Sequence, residues 1–344
     1  MSIRAAVVGA GIYGAYSAIR LAESGHRVDL FDPLGVLRAA SDINQFRIHS
    51  GYHYPRSSET IKEILEARAE FMATFGPAIV RQTQHYYAIP KEGSLTAPDA
   101  YEKIMARHRL PLRPCKPSWM NFDFIDRCYE VDENIYDPQC LRSLLESRIC
   151  ALRVNFRQEL YEPEFRDDYD FVIFATYGLG PSRGIFQAAK YQVAEKILAE
   201  MPEALRGVAL VVVDGPFTAF DPYGNDGRSQ FGSAKNTNHW TTSDADEEIP
   251  EQYADLLNRP SFEPVEFTRF DAMREDAALT VPLAARAQYI GSRFTIRVVE
   301  DNYRDRRILF LQEKTPREIH IFSGKVVSAV KAARLICERI AYDD

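Results

Sequence analysis

Three glycines near the start of the chain, Gly9, Gly11 and Gly14, constrain its fold more than any other feature. They follow a buried-type apolar run, Ile3-Arg-Ala-Ala-Val-Val8, and open a segment where Ile12, Ala15, Ile19 and Leu21 recur near helical spacing until Gly25. A second apolar run, Val28-Asp-Leu-Phe31, closes on Asp32-Pro33. This order predicts a strand–turn–helix–strand unit that binds a dinucleotide. Gly9 permits the tight turn, Gly11 lets backbone approach a pyrophosphate, and Gly14 allows close helix–strand packing. Backbone amides at Ile12 and Tyr13 then face the phosphates, helped by the helix dipole. Asp32, about 20 residues further on at a strand end, is placed to accept from ribose hydroxyls. The turn alone is compatible with either NAD or FAD.

The chain has 344 residues, enough for two compact units or one interleaved pair. Hydrophobic residues at 46% and charged residues at 26% fit a globular protein and argue against disorder. A net charge of -7 argues against a general nucleic-acid binder, although local Arg clusters can still hold an anion. The five cysteines (Cys115, Cys128, Cys140, Cys150, Cys337) form no CxxC pair, which predicts reduced thiols rather than a disulfide framework. No apolar run approaches the roughly 20 residues needed to span a bilayer. The first apolar stretch runs straight into the glycine turn, so a cytoplasmic protein without a cleaved signal is expected.

Further along, residues 34–56 show little periodicity, and loops of that length are usually functional. Ser58 to Phe75 reads as an amphipathic helix capped by Ser57 or Ser58. His85 to Ile89 reads as a strand, and Asp137-Pro-Gln opens a helix through Ile149. Strands are expected at Leu152–Phe156 and Phe171–Ala175. Residues 185–300 carry short β-rich runs, including Val208–Val213 and Phe294–Val299, between polar turns. Strands at Arg307–Gln312 and Ile319–Phe322 lead into a closing helix, Val326–Ile340.

The tail selects the cofactor. Ile319-His-Ile-Phe-Ser-Gly324-Lys325 is a strand ending in Gly where a helix opens. In many flavoproteins a helix N-terminus and a cation at this return face the flavin N1–C2=O edge, which becomes anionic on reduction. FAD is therefore expected, with Gly324, Lys325 and Val326 at that edge. The expected fold class is α/β, a Rossmann-like FAD-binding domain with an interleaved, mostly antiparallel α+β substrate domain. Residues 1–80, 130–184 and 301–344 would form the first, and 81–129 and 185–300 the second.

Three segments carry a family resemblance: Val7-Val-Gly9-Ala-Gly11-Ile-Tyr-Gly14, Asn44-Gln-Phe-Arg-Ile-His49-Ser-Gly51-Tyr-His53-Tyr54, and Asp170-Phe-Val-Ile-Phe-Ala175-Thr-Tyr-Gly178. Together they resemble FAD-dependent oxidoreductases of the D-amino-acid oxidase, glycine oxidase and L-2-hydroxyglutarate dehydrogenase type. Tyr191–Lys196, Asp214–Phe217, Asp221–Gly224 and Phe322–Lys325 resemble a subgroup associated with sugar or secondary-metabolite pathways. Two departures stand out: Tyr177 interrupts the usual Ala-Thr-Gly, and Phe46-Arg47 replace smaller residues before Ile48-His49. The resemblance implies FAD contacts at Pro33, Asn44, Gln45, Leu160, Ala175, Thr176, Tyr177 and Gly178, besides the glycine turn.

In such a fold the loop after the second strand runs beside the flavin ring. His49 is the first candidate general base and His53 the second, because imidazole titrates near neutral pH. Arg47 offers a fork for a substrate carboxylate or phosphate, and Tyr54 is expected at the substrate. Arg297 shares a strand face with Arg293 if alternation holds, so one of the pair would anchor an anionic substrate. Asn236-Thr-Asn-His239-Trp240 is a candidate pocket rim. No metal-ligand spacing, GxSxG elbow or P-loop lysine is present. The expected activity is oxidation of a C–H bearing an amine or a hydroxyl on a small polar metabolite (amino acid, hydroxy acid or sugar-like). Hydride would pass to flavin N5, with oxygen or another acceptor closing the cycle. The alternative is a flavoprotein without net redox, such as a sugar mutase or isomerase.

Overall fold

Ala5, Ala6, Val7 and Val8 are all buried, which places their strand in the middle of a sheet. The computed structural model describes residues 2–186, 188–224 and 227–342. Strand β1 (Arg4–Val8) pairs in parallel with β2 (Arg27–Phe31) on one side and with Phe171–Phe174 on the other. The full six-stranded order is Phe310–Thr315, Glu318–Phe322, Phe171–Phe174, β1, β2, Asn155–Arg157. Helix α1 (Ile12–Glu23) crosses between β1 and β2, and its buried face meets the closing helix Ala329–Tyr342. Small residues make that contact close: Ala15 and Ala18 on one helix, Ala332 and Ala333 on the other, are fully buried.

A nine-stranded sheet forms the second layer. Its order is Asn238–Thr242, Ala189–Glu200, Arg228–Ser233, Thr218–Pro222, Val208–Val212, Gln84–Pro90, Ile125–Val131, Arg113–Pro114, with Gln288–Glu300 also pairing to Ala189–Glu200. All these pairings are antiparallel except Val208–Val212 with Gln84–Pro90. One face packs on helix Phe270–Thr280, where Phe231 and Phe270 meet edge to face at 6.0 Å. The opposite face looks towards the first sheet. A small sheet of Arg47–Ile48, Asn134–Tyr136 and Ile79–Val80 fixes the long loop after β2 between them.

Most expected elements are present with shifted ends. The long helix α2 (Ser58–Thr74) starts as anticipated, with Ser57 accepting from the Thr60 amide. Leu152–Phe156 is not a strand along its length. Leu152 caps the preceding helix, Arg153 sits at φ 54°, and pairing starts only at Asn155. The strand expected from Arg307 begins at Phe310. The segment 185–300 also holds a helix, Phe270–Thr280, whose buried Phe270, Met273 and Ala277 recur at helical spacing. Among the described residues, no helix is long and apolar enough to cross a membrane.

Candidate active site

A cavity of about 990 Å³ runs between the two sheets, from the glycine turn to the face of the nine-stranded sheet. It is lined at one end by Gly9, Gly11, Ile12, Tyr13, Asp32, Pro33 and Leu160. Its middle is formed by Asn44, Gln45, Arg47, His49, His53, Tyr54, Ala175, Thr176 and Tyr177, together with the return Gly324-Lys325-Val326. Ala194, Lys196, Thr295 and Arg297 form the far wall.

The glycine turn is built to leave donors open. Gly11 caps α1 without a side-chain bond, and Ala15 N–H donates to Gly11 O at 2.9 Å. Ile12 N–H donates to Ser41 Oγ at 3.1 Å, whereas the amides of Gly11 and Tyr13 have no acceptor among the described residues. Those amides at a helix start suit a pyrophosphate. A Cβ on Gly9 would stand 2.7 Å from Ala175 O, and one on Gly14 would stand 1.8 Å from Gly9 O. Gly14 therefore does not line the cavity; it lets the helix close on the strand. Asp32 accepts from Ala10 N at 2.7 Å, Leu34 N at 2.8 Å and Gly35 N at 3.1 Å. Its carboxylate braces the turn, and a lone-pair site is left over towards the cavity. These features fit a dinucleotide cofactor.

The middle of the cavity gathers the residues of the 44–54 loop. Asn44 is spent on the loop itself, bonding Ala40 O, Ser41 O and the Tyr136 hydroxyl. Arg47 does not present a free fork. Its Nη1 donates to Glu133 Oε2 at 2.8 Å, and its Nη2 lies 2.6 Å from Asp221 Oδ1. This guanidinium is a buried tie rather than the free substrate fork expected of it. Glu133 also accepts from Ser50 N and the Tyr87 hydroxyl, both at 2.8 Å. His49 Nδ1 stands 3.6 Å from Glu133 Oε1, and His53 Nδ1 has no partner among the described residues. The two imidazoles lie with ring centres 5.4 Å apart, each beside Tyr54. Burial, reinforced by the Lys325 charge, pushes His49 down to about 4, and burial holds His53 well below its usual value. Both rings are neutral at pH 7.

Lys325 stands at the return after strand Glu318–Phe322, with Nζ 4.0 Å from the centre of the Tyr54 ring. Burial pushes its ammonium down to about 7. Tyr13 on α1 donates its hydroxyl to Lys325 O, tying the return to the helix start. Tyr177 occupies the left-handed region at φ 58° and stacks on Phe322 at 5.7 Å. It takes a left-handed backbone shape that favours glycine. Gly178, expected at the cofactor, instead packs against Val298 and Phe322 and lies off the cavity wall.

On the far wall the two expected arginines separate. Arg293 is buried on Asp42, with Nη1 2.9 Å from its carboxylate. Arg297 reaches the cavity and has no hydrogen-bond or ion-pair partner among the described residues. Lys196 on the neighbouring strand is in the same position, and burial beside Arg297 pushes it down to about 8. The Asn236–Trp240 run contributes only Thr237 to the wall; His239 is turned to Glu195, its Nε2 2.8 Å from the carboxylate. Sequence reasoning missed Glu133 and the role of Lys196. A lysine inside an otherwise buried strand, Tyr191–Leu198, is the available signal for Lys196; Glu133 has none, because its partners lie 46 to 86 residues away.

Residues 4–140 match the family described as FAD dependent oxidoreductase, DAO. Over that stretch the chain resembles DAO-family FAD-dependent oxidoreductases. It is 28% identical over 228 residues to the FAD-dependent monooxygenase FPY4 of Fusarium mangiferae, covering 63% of this chain and 60% of that relative. It is 33% identical over 97 residues to the FAD-dependent monooxygenase kojA of Aspergillus flavus, covering 28% of this chain and 23% of that relative. The matched stretches thus span less than two thirds of either relative. Among solved structures, glycine oxidase from Geobacillus kaustophilus superposes with a TM-score of 0.71 at 14% identity, over 99% of this chain and 95% of that one. Amadoriase I, a fructosyl amine:oxygen oxidoreductase from Aspergillus fumigatus, gives 0.66 at 13% identity, over 99% and 87%. These likenesses establish the fold.

Proposed function

We propose that this FAD-dependent oxidoreductase oxidises a C–H bond bearing an amine or a hydroxyl on a small polar metabolite that carries an anionic group. The observation behind this reading is the unpartnered pair Lys196 and Arg297 on the far cavity wall. Two half-buried cations facing one cavity without a close counter-ion favour an anionic substrate group between them. Arg297 supplies a planar two-pronged donor set for a carboxylate, and Lys196 a second positive point. Ala194 and Thr295 face each other across the paired strands near these cations, and their short side chains leave room for a substrate.

FAD, when bound, supplies the two-electron acceptor for the C–H bond. Gly9, Gly11, Ile12, Tyr13 and Asp32 would hold its dinucleotide part, and the Gly324–Val326 return its ring edge. His49 and His53, neutral by burial, are able to take the proton of a substrate hydroxyl or ammonium. Lys325 sets positive potential beside them and gains a proton most readily when negative charge develops nearby. Oxygen or another acceptor takes the electrons at the end of the cycle.

The test is anaerobic bleaching of the yellow protein by a panel of amino acids, secondary amines, hydroxy acids and nucleotide sugars. An anionic amine or hydroxy compound is expected to bleach it, and Arg297→Met to raise the concentration required at least about tenfold, the effect of losing one charged hydrogen bond. Bleaching by neutral sugars alone, with Arg297→Met unaffected, would sink the anionic reading.

A further inference from the structure

The five cysteines read as dispersed in sequence, yet two of them meet. Cys128 lies on strand Ile125–Val131, and Cys115 directly follows the edge strand Arg113–Pro114. The antiparallel register, Arg113 opposite Glu130 and Pro114 opposite Tyr129, sets Cys115 across from Cys128. Cys115 N–H donates to Cys128 O at 3.0 Å, and the two Sγ atoms are 3.6 Å apart. Opposed residues of antiparallel strands have Cα atoms about 4.5–5.5 Å apart, inside the range a disulfide accepts. Side-chain rotation with a small backbone adjustment closes the remaining sulfur gap.

The pair is also reachable. A second cavity, of about 320 Å³, is lined by both cysteines together with Pro114, Lys116, Phe122 and Arg127. It lies away from the cofactor cavity, and none of its lining residues is shared with that site. Cys115 is partly exposed and Cys128 buried, so an oxidant meets Cys115 first. The contact with Cys128 lowers the Cys115 thiol, and the same contact, with burial, raises Cys128. The two sulfurs are thus unequal, one suited to attack and the other kept as the thiol.

We propose that Cys115 and Cys128 form a reversible peroxide-oxidised disulfide on the outer edge of the nine-stranded sheet. The Cys115 thiolate attacks one oxygen of hydrogen peroxide; the O–O bond breaks, a sulfenic acid forms on Cys115, and the departing hydroxide takes up a proton as water. The Cys128 thiol then attacks that sulfur. The S–S bond forms, the S–O bond breaks, and the hydroxyl leaves with the Cys128 proton as a second water. Two electrons pass from the two sulfurs to the peroxide. A small dithiol reverses the reaction by exchange. The bond closes the segment that carries Trp119 and Met120, and Trp119 packs edge to face on Tyr86 at 5.3 Å.

The holoprotein is treated with hydrogen peroxide, quenched, unfolded and titrated for free thiols, then mapped by mass spectrometry of its peptides. Five thiols are expected to fall to three, with one cross-linked peptide pair joining Cys115 to Cys128 and full recovery after dithiothreitol. In Cys128→Ser, dimedone is expected to label Cys115; in Cys115→Ser, no sulfenic acid should appear at Cys128. Five thiols remaining in the treated wild-type protein, or a cross-link joining any other pair, overturns the proposal without recourse to either variant. Dimedone labelling of Cys128 in Cys115→Ser overturns the assigned order of attack.

Discussion

Arg47 Nη1 and Glu133 Oε2 meet at 2.8 Å with side chains only 2% and 0% exposed. The same guanidinium lies 2.6 Å from Asp221, so one buried cation faces two carboxylates. Glu133 sits beside the small sheet and Asp221 on strand Thr218–Pro222, and Arg47 therefore fastens the long loop to the substrate-side sheet. Arg47→Met strands both carboxylates. Breaking a buried pair by removing one partner costs about 3–5 kcal/mol, and urea unfolding of the variant at pH 7 is expected to show a loss of that order. Burial already raises Asp221 to about 6, so the penalty should shrink as the pH falls and the stranded acids take up protons. A loss below about 1 kcal/mol, the level of an exposed pair, would show that the tie carries no stability.

Gly14 has no room for a methyl group, because its Cβ would stand 1.8 Å from Gly9 O and 3.1 Å from the Ala175 Cβ. The obstacle at Gly9 O is backbone, which cannot swing aside. Gly14→Ala is expected to give protein that retains little flavin and unfolds several degrees earlier, in line with an overpacking cost of about 1–3 kcal/mol. Gly25→Ala is the matched control. Gly25 has a positive φ, 88°, which Gly14 lacks, and nothing lies within 4 Å of its Cβ. It should lose about 1–2 kcal/mol to backbone strain and keep its flavin. Equal flavin content in the two variants would remove close packing from the account of the turn.

Local pattern carries the N-terminal strand–helix–strand unit. The apolar run before Gly9, the spacing through Leu21 and the Asp32-Pro33 stop are contiguous, and β1, α1 and β2 follow them within a residue or so. The cavity face of the other sheet was less readable. Lys196 and Arg297 lie 101 residues apart in sequence, and only the register of two long strands brings them to one wall. Arg293 and Arg297 were indistinguishable by alternation; Asp42, far away on the long loop, is what removes Arg293 from the site. Arg47 was misassigned for the same reason, since Glu133 and Asp221 reach it from distant segments. The helix Phe270–Thr280 contains no Gly, Pro or Asn, but its buried apolar stripe is only three residues long (Phe270, Met273, Ala277).

His49 is neutral above about pH 4, because burial and the Lys325 charge disfavour its cationic form. A proton-accepting imidazole is thus available across the neutral range, and its titration should leave no mark on the rate there. The pH profile of kcat is expected to lack a histidine limb between pH 6 and 8. His49→Gln should retain the flavin spectrum and lower kcat by at least about 100-fold, the usual contribution of a positioned base. Near wild-type turnover in that variant would take His49 out of proton transfer and leave His53 as the candidate.

Lys325 is the group expected to titrate in that window. Its folded value is about 7 against 10.5 for the ordinary side chain, the shift coming from burial. Between those two values the unfolded chain binds more protons than the folded one, so stability rises with pH across the window. Below about 7 both states carry the charge and the slope vanishes; above about 10.5 neither does. Lys325→Met removes the titration. The variant should be more stable than wild type at pH 7, by up to about 1.4 kcal/mol for each pH unit separating the two values. That advantage should close steadily as the pH is raised towards 10. Urea unfolding of both proteins at a series of pH values, with flavin removed, reads the difference directly. Parallel curves for variant and wild type would mean that the ammonium finds compensation in the folded state, with the Tyr54 ring 4.0 Å away as its source.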